Sequence, residues 1–321
     1  MPAVSVIATV LNEVVDIKLL VPSLLQQNQP ATEIIIVDGG SSDGTWEWLV
    51  ESARENPALR PIRDESCSLK RCPGPVSRGR NVAIAAATSQ IIACADAGCT
   101  YSPDWLDRLT APIAAGSAEY ALGGSCIDLA DPTVWDLASA PFFGVKFSVS
   151  EPSKSCTARS MAFTKELWQR IGGFPETVLL GDDTLFDLNA RRLTPPAFVA
   201  GAKAFYRPQN TLGSASRQLA RYALSDGILG VRWTRLVRNS TRCLLQLGAL
   251  TTLPWTIYPF LFVLAMQCWL AFHPDWRFVR QFGTRTLLAR FLFSVFVPWI
   301  IVFNQLRGAI TNPSPTNKQN G

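Results

Sequence analysis

Residues 4–10 read Val-Ser-Val-Ile-Ala-Thr-Val, and residues 33–37 read Glu-Ile-Ile-Ile-Val. Both are short runs of β-branched apolar residues, which are typical of buried strands. Between them, residues 16–27 carry apolar side chains at helical spacing. A strand, a helix and a second strand in this order form a βαβ unit. The sequence therefore predicts an α/β fold with a mostly parallel central sheet.

A second cycle of predicted elements follows the first. Residues 44–56 predict a helix, and residues 60–75 form a long polar stretch that contains prolines. Residues 80–88 predict another helix, and the apolar residues 91–95 predict a further strand. The sheet should therefore continue beyond the first βαβ unit.

Acidic residues follow two of the predicted strands. Asp38 comes directly after residues 33–37, and Asp96 comes directly after residues 91–95. Ligands of open α/β sheets bind outside the carboxyl ends of the strands, so both carboxylates are expected at a ligand site. Asp38 is suited to accept hydrogen bonds from a ribose or a base. The alternative at this turn is structural, with Asp43 capping the next helix.

Asp96 and Arg80 are predicted to meet charged partners at the sheet edge. An unpaired buried carboxylate is costly, so Asp96, after so apolar a strand, needs a partner. A divalent cation that bridges a diphosphate is one such partner. Arg80 opens a predicted helix and can reach a phosphate or a buried carboxylate. Taken alone, an arginine at this position is more often an exposed surface residue.

Two further strings carry polar side chains that suit catalysis. Asp182 and Asp183 begin a predicted helix, where the dipole should keep them ionised and one of them can serve as a base. Acids at a helix start are also commonly caps, so this alternative stays open. Gln218 and Arg221 lie three residues apart on one predicted helical face, with Tyr222 beside them.

Taken in order, these strings resemble family 2 of the glycosyltransferases, the large inverting group with an A-type glycosyltransferase fold. The resemblance covers about residues 3–225. Its strings are TVLNE at 9–13, VDGGSSDGT at 37–45, RN at 80–81, DAG at 96–98, IGGFPE at 171–176, GDD at 181–183 and QLARY at 218–222. Three positions depart from the family pattern: Gly98 replaces the second acid of D-x-D, Asp182 replaces a glutamate, and Tyr222 replaces a tryptophan.

The resemblance implies a role for each motif residue. Asp183 is the implied base, with Asp182 as second choice, and Asp96 is the implied ligand of a divalent cation, Mg²⁺ or Mn²⁺. Because the second acid of D-x-D is missing, strict dependence on the metal is not implied. The implied contacts of the nucleotide-sugar donor are Thr9, Asn12, Glu13, Asp38, Arg80, Asp96, Gln218 and Arg221.

The composition indicates that part of the chain leaves water. Apolar residues make up 48% of the chain and charged residues only 17%. Residues 243–272 contain no charge and are long enough to span a bilayer, which predicts a transmembrane segment. Residues 287–306 are a second candidate, as a span or as an interfacial or re-entrant helix. The domains expected are a catalytic domain at 1–230, a membrane-associated region at 231–310 and a disordered tail at 311–321.

These expectations combine into one function. We expect a membrane-anchored inverting glycosyltransferase of polysaccharide or glycolipid biosynthesis, at the cytoplasmic face of the cell inner membrane. Its partners are a nucleotide-diphosphate sugar, a lipid-linked or saccharide acceptor and membrane lipids. The arginines form no dense basic run, which disfavours nucleic acid as a partner. The alternatives are a catalytically silent scaffold that binds nucleotide sugar or partner proteins, and a transporter subunit, which would need more spans.

Overall fold

A computed structural model describes residues 2–127, 132–143, 158–207, 211–272 and 283–311. The chain divides into two compact units, of which the first comprises Met1–Asp128 and Ser148–Arg207 and the second Leu129–Phe147 and Pro208–Gly321. The strands, all in the first unit, are β1 Val4–Val10, β2 Glu33–Asp38, β3 Leu59–Arg63, β4 Ile91–Cys94, β5 Cys99–Tyr101, β6 Tyr120–Ile127, β7 Met161–Thr164 and β8 Ala197–Tyr206.

The helices are divided between the two units. The first unit contains α1 Val14–Leu25, α2 Thr45–Glu55, α3 Pro75–Ala86, α4 Trp105–Ala114, α6 Lys165–Arg170 and α7 Asp182–Arg191. The second contains α5 Val134–Ser139, α8 Leu212–Ile228, α9 Trp233–Thr252, α10 Tyr258–Phe272 and α11 Gly283–Thr311.

The eight strands form one mixed sheet in the order β3-β2-β1-β4-β7-β6-β8-β5. The pairs β1/β2, β2/β3, β1/β4 and β6/β8 are parallel, whereas β7 is antiparallel to both its neighbours and β5 is antiparallel to β8. The predicted α/β class, its mostly parallel sheet and the opening βαβ unit are therefore confirmed. The predicted polar stretch at 60–75 is partly wrong, because β3 occupies its start.

An aromatic cluster in the core fixes the start of α7. The rings of Phe174 and Phe186 stack with centroids 4.3 Å apart, and Phe163 of β7 lies 4.7 Å from Phe186. All three side chains are fully buried. Burial of each large side chain stabilises the fold by about 2 kcal/mol. Since Phe186 belongs to the first turns of α7, this packing holds Asp182 and Asp183 in place.

The second unit corrects the predicted transmembrane segment at 243–272. The structure divides this stretch, because α9 ends at Thr252 and α10 begins at Tyr258. Pro254 lies in the break, where a helix would need the backbone N–H that proline lacks. Among the described residues, Gly283–Thr311 is the one helix long and apolar enough to cross a membrane. It contains the second predicted candidate, 287–306.

The predicted tail at 311–321 lies outside the described residues after Thr311, the last residue of α11.

Within the second unit, α8 and α11 approach each other through two glycines. A Cβ at Gly227 would overlap the carbonyl oxygen of Gln305, and one at Gly308 would overlap that of Leu224. The two backbones therefore lie closer than side chains would allow.

Gly308→Val should separate α8 from α11 and lower the unfolding temperature. The valine side chain would overlap backbone atoms of α8, which cannot change rotamer to make room, so this overpacking costs about 1–3 kcal/mol or more. Gly248→Ala is the matched control, since no described atom lies within 4 Å of a Cβ there. That change should add about 1 kcal/mol of helix stability. Equal unfolding temperatures for the two variants in a thermal melt would contradict the close approach.

Candidate active site

Asp38 ends β2 at the carboxyl edge of the sheet. Its neighbour across the β1/β2 register is Val10, and Thr9 stands opposite Val37. The Asp38 side chain is fully buried, and Oδ1 accepts hydrogen bonds from the backbone N–H groups of Gly40 and Ser41, each at 2.8 Å. Its Oδ2 is buried and has no hydrogen-bond partner among the described residues. A buried acceptor of this kind is suited to a ligand donor.

Two loops at this edge are tied together by side chains. The Asn12 Oδ1 accepts a hydrogen bond from the backbone N–H of Ser42 at 2.9 Å. The Asp43 carboxylate accepts from the N–H of Val14 at 3.1 Å and from the N–H of Thr45 at 3.1 Å. The N-cap residue of α2 is Gly44, so Asp43 lies one residue before the capping position and contacts the first residue of the helix. Asn12 and Asp43 therefore connect the β1–α1 loop to the β2–α2 loop by hydrogen bonds.

Glu13 lies among other carboxylates beside this edge. Burial, with a hydrogen bond to Asp16 and the charges of Asp16, Asp43 and Asp96, raises the pKa of Glu13 to about 7. Each of these carboxylates favours the neutral form of Glu13, because like charges repel. A cationic ligand at this edge would favour the ionised form instead.

Arg80 forms the centre of a buried ion network. Its Nη2 lies 2.8 Å from Asp96 Oδ1, and its Nη1 pairs with Asp182 Oδ2. The guanidinium is almost fully buried and lies 5.4 Å from the ring centre of Phe174. The prediction that Arg80 meets a buried carboxylate thus accords with these contacts, whereas the surface alternative is wrong. Arg80 and Asn81 lie in the second turn of α3 and do not start the helix, as the sequence had suggested.

Asp182 and Asp183 form the first turn of α7, after Gly181 in the left-handed region with φ of 81°. The predicted helix start is confirmed. Burial first, and then the charge of Asp182, raise the pKa of Asp183 to about 6. Asp183 is therefore still mostly ionised at neutral pH, as expected, but it binds a proton more readily than a free aspartate because desolvation disfavours its charged form. A carboxylate with this pKa is well matched to a general base near neutral pH.

Asn81 fastens the segment that leads to these acids. Its Nδ2 donates to the Phe174 carbonyl and to Glu176 Oε1, both at 2.9 Å. Its Oδ1 accepts from the Phe174 N–H at 2.9 Å and from Trp168 Nε1 at 3.1 Å. All four hydrogen-bonding positions of the carboxamide are used. Two neighbouring residues of α3 therefore hold this part of the chain: Arg80 pairs with Asp182, and Asn81 binds the segment that precedes it.

Asn81→Ala should lower the free energy of unfolding by about 3 kcal/mol, because it leaves the backbone of the buried Phe174 and the half-buried Trp168 indole without their hydrogen bonds. Asn189→Ala is the control, since the Asn189 side chain makes only a long, exposed contact of 3.4 Å with Arg192. A surface change of that kind is expected to stay within about 0.5 kcal/mol. Chemical denaturation measures both, and comparable losses would contradict the role of Asn81 as a fastener.

Sequence reasoning missed a group of residues behind Asp96. The Tyr101 hydroxyl accepts from the Asp96 N–H at 3.0 Å and donates to the Arg159 carbonyl at 2.9 Å. Arg159 in turn lies 4.0 Å over the ring of Tyr206. Its charge lowers the pKa of Asp183, against burial. Neither Tyr101 nor Arg159 belongs to one of the recognised motifs, so the sequence contained no signal that predicted their roles.

Gln218 and Arg221 belong to α8 of the second unit. Gln218 Nε2 donates to the Tyr222 hydroxyl at 3.0 Å, one turn further along the helix. Tyr222 also packs edge-on against Phe143, with ring centres 6.0 Å apart. Arg221 is exposed. The structure thus brings Thr9, Asn12, Glu13, Asp38, Arg80, Asp96, Asp182 and Asp183 into the first unit, and leaves Gln218 and Arg221 in the second.

The family model of glycosyl transferase family 2 matches residues 5–172, which is more than half of the chain. The chain belongs to glycosyl transferase family 2. The matched stretch includes β1 to β4 and their connecting helices, with Asp38, Arg80 and Asp96. Asp182 and Asp183 follow it along the chain.

A curated relative and a solved structure agree with this assignment. Glycosyltransferase AglE of Haloferax volcanii is 28% identical over 193 residues, which cover 57% of this chain and 59% of the relative. The match thus spans less than two thirds of that relative. The mannosyltransferase PcManGT from Pyrobaculum calidifontis, solved in complex with GDP-Man and Mn²⁺, has a TM-score of 0.58 at 18% identity. The structural match covers 96% of this chain and 87% of the PcManGT chain. It confirms the A-type glycosyltransferase fold.

Proposed function

We propose that this protein is an inverting glycosyltransferase that moves a sugar from a nucleoside diphosphate sugar to an acceptor. The observation that carries the proposal is the Arg80 network, which joins the acid after β4 to the acids at the start of α7. Asp96 contributes a carboxylate at the sheet edge, and Asp183 has a pKa of about 6 in the same network. A donor-side charge and a general base are the two groups that the reaction needs.

The donor is proposed to lie at the carboxyl edge of the sheet. The buried Oδ2 of Asp38 lacks a partner in the described part of the chain, which suits an acceptor for a ribose hydroxyl or a base N–H. We do not assign Arg80 a contact with a phosphate of the donor. Its proposed role is to position Asp96 and Asp182, with which it pairs. The other proposed donor contacts rest on the family motifs and are Thr9, Asn12, Glu13, Gln218 and Arg221.

A divalent cation is proposed to accompany the donor. No group of three His, Cys, Asp or Glu side chains able to hold a metal occurs among the described residues. Mg²⁺ and Mn²⁺ sites of this kind commonly use one or two carboxylates and complete their ligands with substrate phosphates and water. Asp96, with its side chain 30% exposed, fits that pattern. When bound, the cation supplies neutralisation of the charge on the departing diphosphate.

The proposed reaction is a single displacement. Asp183 accepts the proton of the acceptor hydroxyl, and the oxygen forms a bond to the anomeric carbon of the sugar. The bond from this carbon to the diphosphate breaks, and its electron pair leaves with the nucleoside diphosphate. Because attack and departure occur on opposite faces of the carbon, the anomeric configuration inverts and no covalent enzyme intermediate forms. Where the acceptor is a phosphate, its oxygen is already ionised and needs no base.

The proposed acceptor is lipid-linked or a polysaccharide, at the cytoplasmic face of a membrane. Its support is the apolar second unit, which contains the 29-residue helix Gly283–Thr311, long and apolar enough to cross a membrane. An acceptor carried by lipid would stay near a protein that is itself held at the membrane.

Donor binding by the purified full-length protein tests this proposal. UDP-, GDP- and dTDP-sugars are titrated in detergent, with and without Mn²⁺ or Mg²⁺. The proposal predicts saturable binding of one nucleotide class that strengthens with the cation. Binding without any transfer to polyprenyl phosphate, lipid or glycan acceptors would favour a silent scaffold, and no binding to any donor would contradict the proposal.

A further inference from the structure

The helix α11 exposes a continuous apolar face. Its exposed large apolar residues follow one another at steps of three or four, which places them on one side of the helix. They are Leu288, Leu292, Phe296, Trp299, Phe303, Leu306 and Ile310. At a rise of 1.5 Å per residue this face is about 33 Å long. Soluble surfaces rarely present so large an apolar area without a partner.

The opposite face of α11 packs on α8 and its neighbours in the second unit. Gly227 and Gly308 bring the carboxyl end of α8 against residues 305–309. Phe293 of α11 lies 5.5 Å from the ring of Phe142, and the adjacent Phe143 lies 6.0 Å from Tyr222 of α8. The segment of α8 from Tyr222 to Gly227 therefore runs beside the middle and the end of α11.

This packing argues against α11 as a transbilayer helix. Arg221 precedes Tyr222 and is exposed, and Gln218 lies one turn earlier. If α11 crossed the hydrocarbon, α8 would be carried into it, and the exposed arginine would lie where charges are costly. The packed face of α11 also buries Thr286, Ser294 and Gln305. A helix with one face in lipid and the other on a polar layer of protein lies in the plane of the interface.

The net positive charge of the residues after position 207 favours an anionic lipid surface as the partner of this apolar face. After position 207 there are twelve arginines and lysines but only two aspartates and no glutamate. One of the aspartates, Asp226, is buried and pairs with Arg232 and Arg235. Arg285 at the start of α11 and Arg307 near its end are exposed. Basic residues beside an apolar face are attracted to anionic lipid headgroups.

We propose that α11 lies in the plane of an anionic bilayer surface, with its apolar face among the acyl chains and α8 on the aqueous side. This inference rests on the membrane-face location proposed above and gives it a geometry, in which the second unit binds one leaflet and does not span. Arg285 and Arg307 contact lipid phosphates at the two ends of the helix. Both ends of α11 then lie on the same side of the membrane.

Protease access to three epitope tags tests the geometry. The full-length protein carries one tag at its N-terminus, one between α10 and α11, and one at its C-terminus, and is assayed in sealed inside-out membrane vesicles. Cleavage of all three tags from the outside is expected. Protection of the C-terminal tag would show one span, and protection of the middle tag alone would show a pair of spans. Either pattern overturns the proposal.

Vesicle binding tests the lipid. The purified protein is floated with vesicles of phosphatidylcholine alone or mixed with phosphatidylglycerol. Binding should favour the anionic mixture, and Arg285→Gln and Arg307→Gln should each weaken it by about fivefold. Arg54→Gln, an exposed arginine of α2, is the matched control and should change nothing. Equal binding to both vesicles, or a stable dimer that binds neither, overturns the proposal. No sugar donor is present, so failure here leaves the proposed transfer reaction untouched.

Discussion

With a hydroxyl acceptor, Asp183→Asn should lower kcat by about 10²–10⁴-fold, while the Kd of the nucleotide sugar stays near that of the unchanged protein. Asparagine has nearly the same shape as aspartate but cannot accept the acceptor's proton at neutral pH. The Arg80 contacts with Asp96 and Asp182 involve other side chains and remain. The measurement combines product formation with donor titration. Full transfer activity in this variant would remove Asp183 as the base.

A matched control separates loss of the base from loss of charge. Asp107 is an exposed acid in the first turn of α4, so Asp107→Asn removes one negative charge without touching the network. Its kcat should stay within about twofold of the unchanged protein, as is usual for surface changes. If both variants lost activity equally, the effect would reflect net charge and not proton transfer.

The activity should also fall on the acid side of neutrality. The pKa of Asp183 is raised to about 6, so the ionised form that serves as base is lost as the pH drops through that value. Below it, kcat/KM should fall about tenfold for each pH unit. Glu13, with a pKa raised to about 7, could produce a similar limb. Glu13→Gln distinguishes the two, because the limb near pH 6 persists in this variant only if Asp183 causes it.

Arg80→Met should lower the free energy of unfolding by about 3–5 kcal/mol, because it leaves a buried carboxylate without its cation. For a domain of this size the expected fall in Tm is about 10 °C. The apolar chain of methionine fills much of the space near Phe174 but cannot neutralise Asp96 and Asp182. Transfer activity should fall as well, since the two acids then repel each other.

Arg78→Met on the same helix is the control for Arg80. Its ion pair with Glu176 is 3.3 Å long, and both side chains are more than a third exposed. Surface pairs of this kind contribute about 0–1 kcal/mol. Arg80→Lys adds a second comparison, because lysine keeps the charge but lacks the planar fork that reaches two carboxylates. A Tm for Arg80→Met equal to that of Arg78→Met would contradict the central position of Arg80.

The sequence predicted the parts of the fold whose patterns are local. The apolar runs of β1 and β2, the acid that ends β2 and the acid that follows β4 were visible in the sequence, because strands show a periodic apolar pattern that stops at their ends. The strand β3 was missed because its residues Leu59–Arg63 alternate poorly and include a proline. It is an edge strand, where proline is tolerated, so its pairing with β2 depends on the rest of the sheet.

The candidate site depended more strongly on long-range contacts. The partner of Arg80 was left open, because Asp182 is distant in sequence and only folding brings it next to α3. Tyr101 and Arg159 carried no motif at all. The predicted continuous span at 243–272 failed for a different reason, since absence of charge indicates an apolar segment but does not show where a helix breaks.

The stereochemistry of the transfer product tests whether the sugar is moved by a single displacement with Asp183 as the base. Purified full-length protein is given the donor selected by the binding panel, an acceptor with a free hydroxyl and Mn²⁺, and the anomeric configuration of the product is read by NMR. Inversion is expected, so that an α-linked donor gives a β-linked product with the unchanged protein and almost no product with Asp183→Asn. An α-linked product would contradict single displacement with Asp183 as the base.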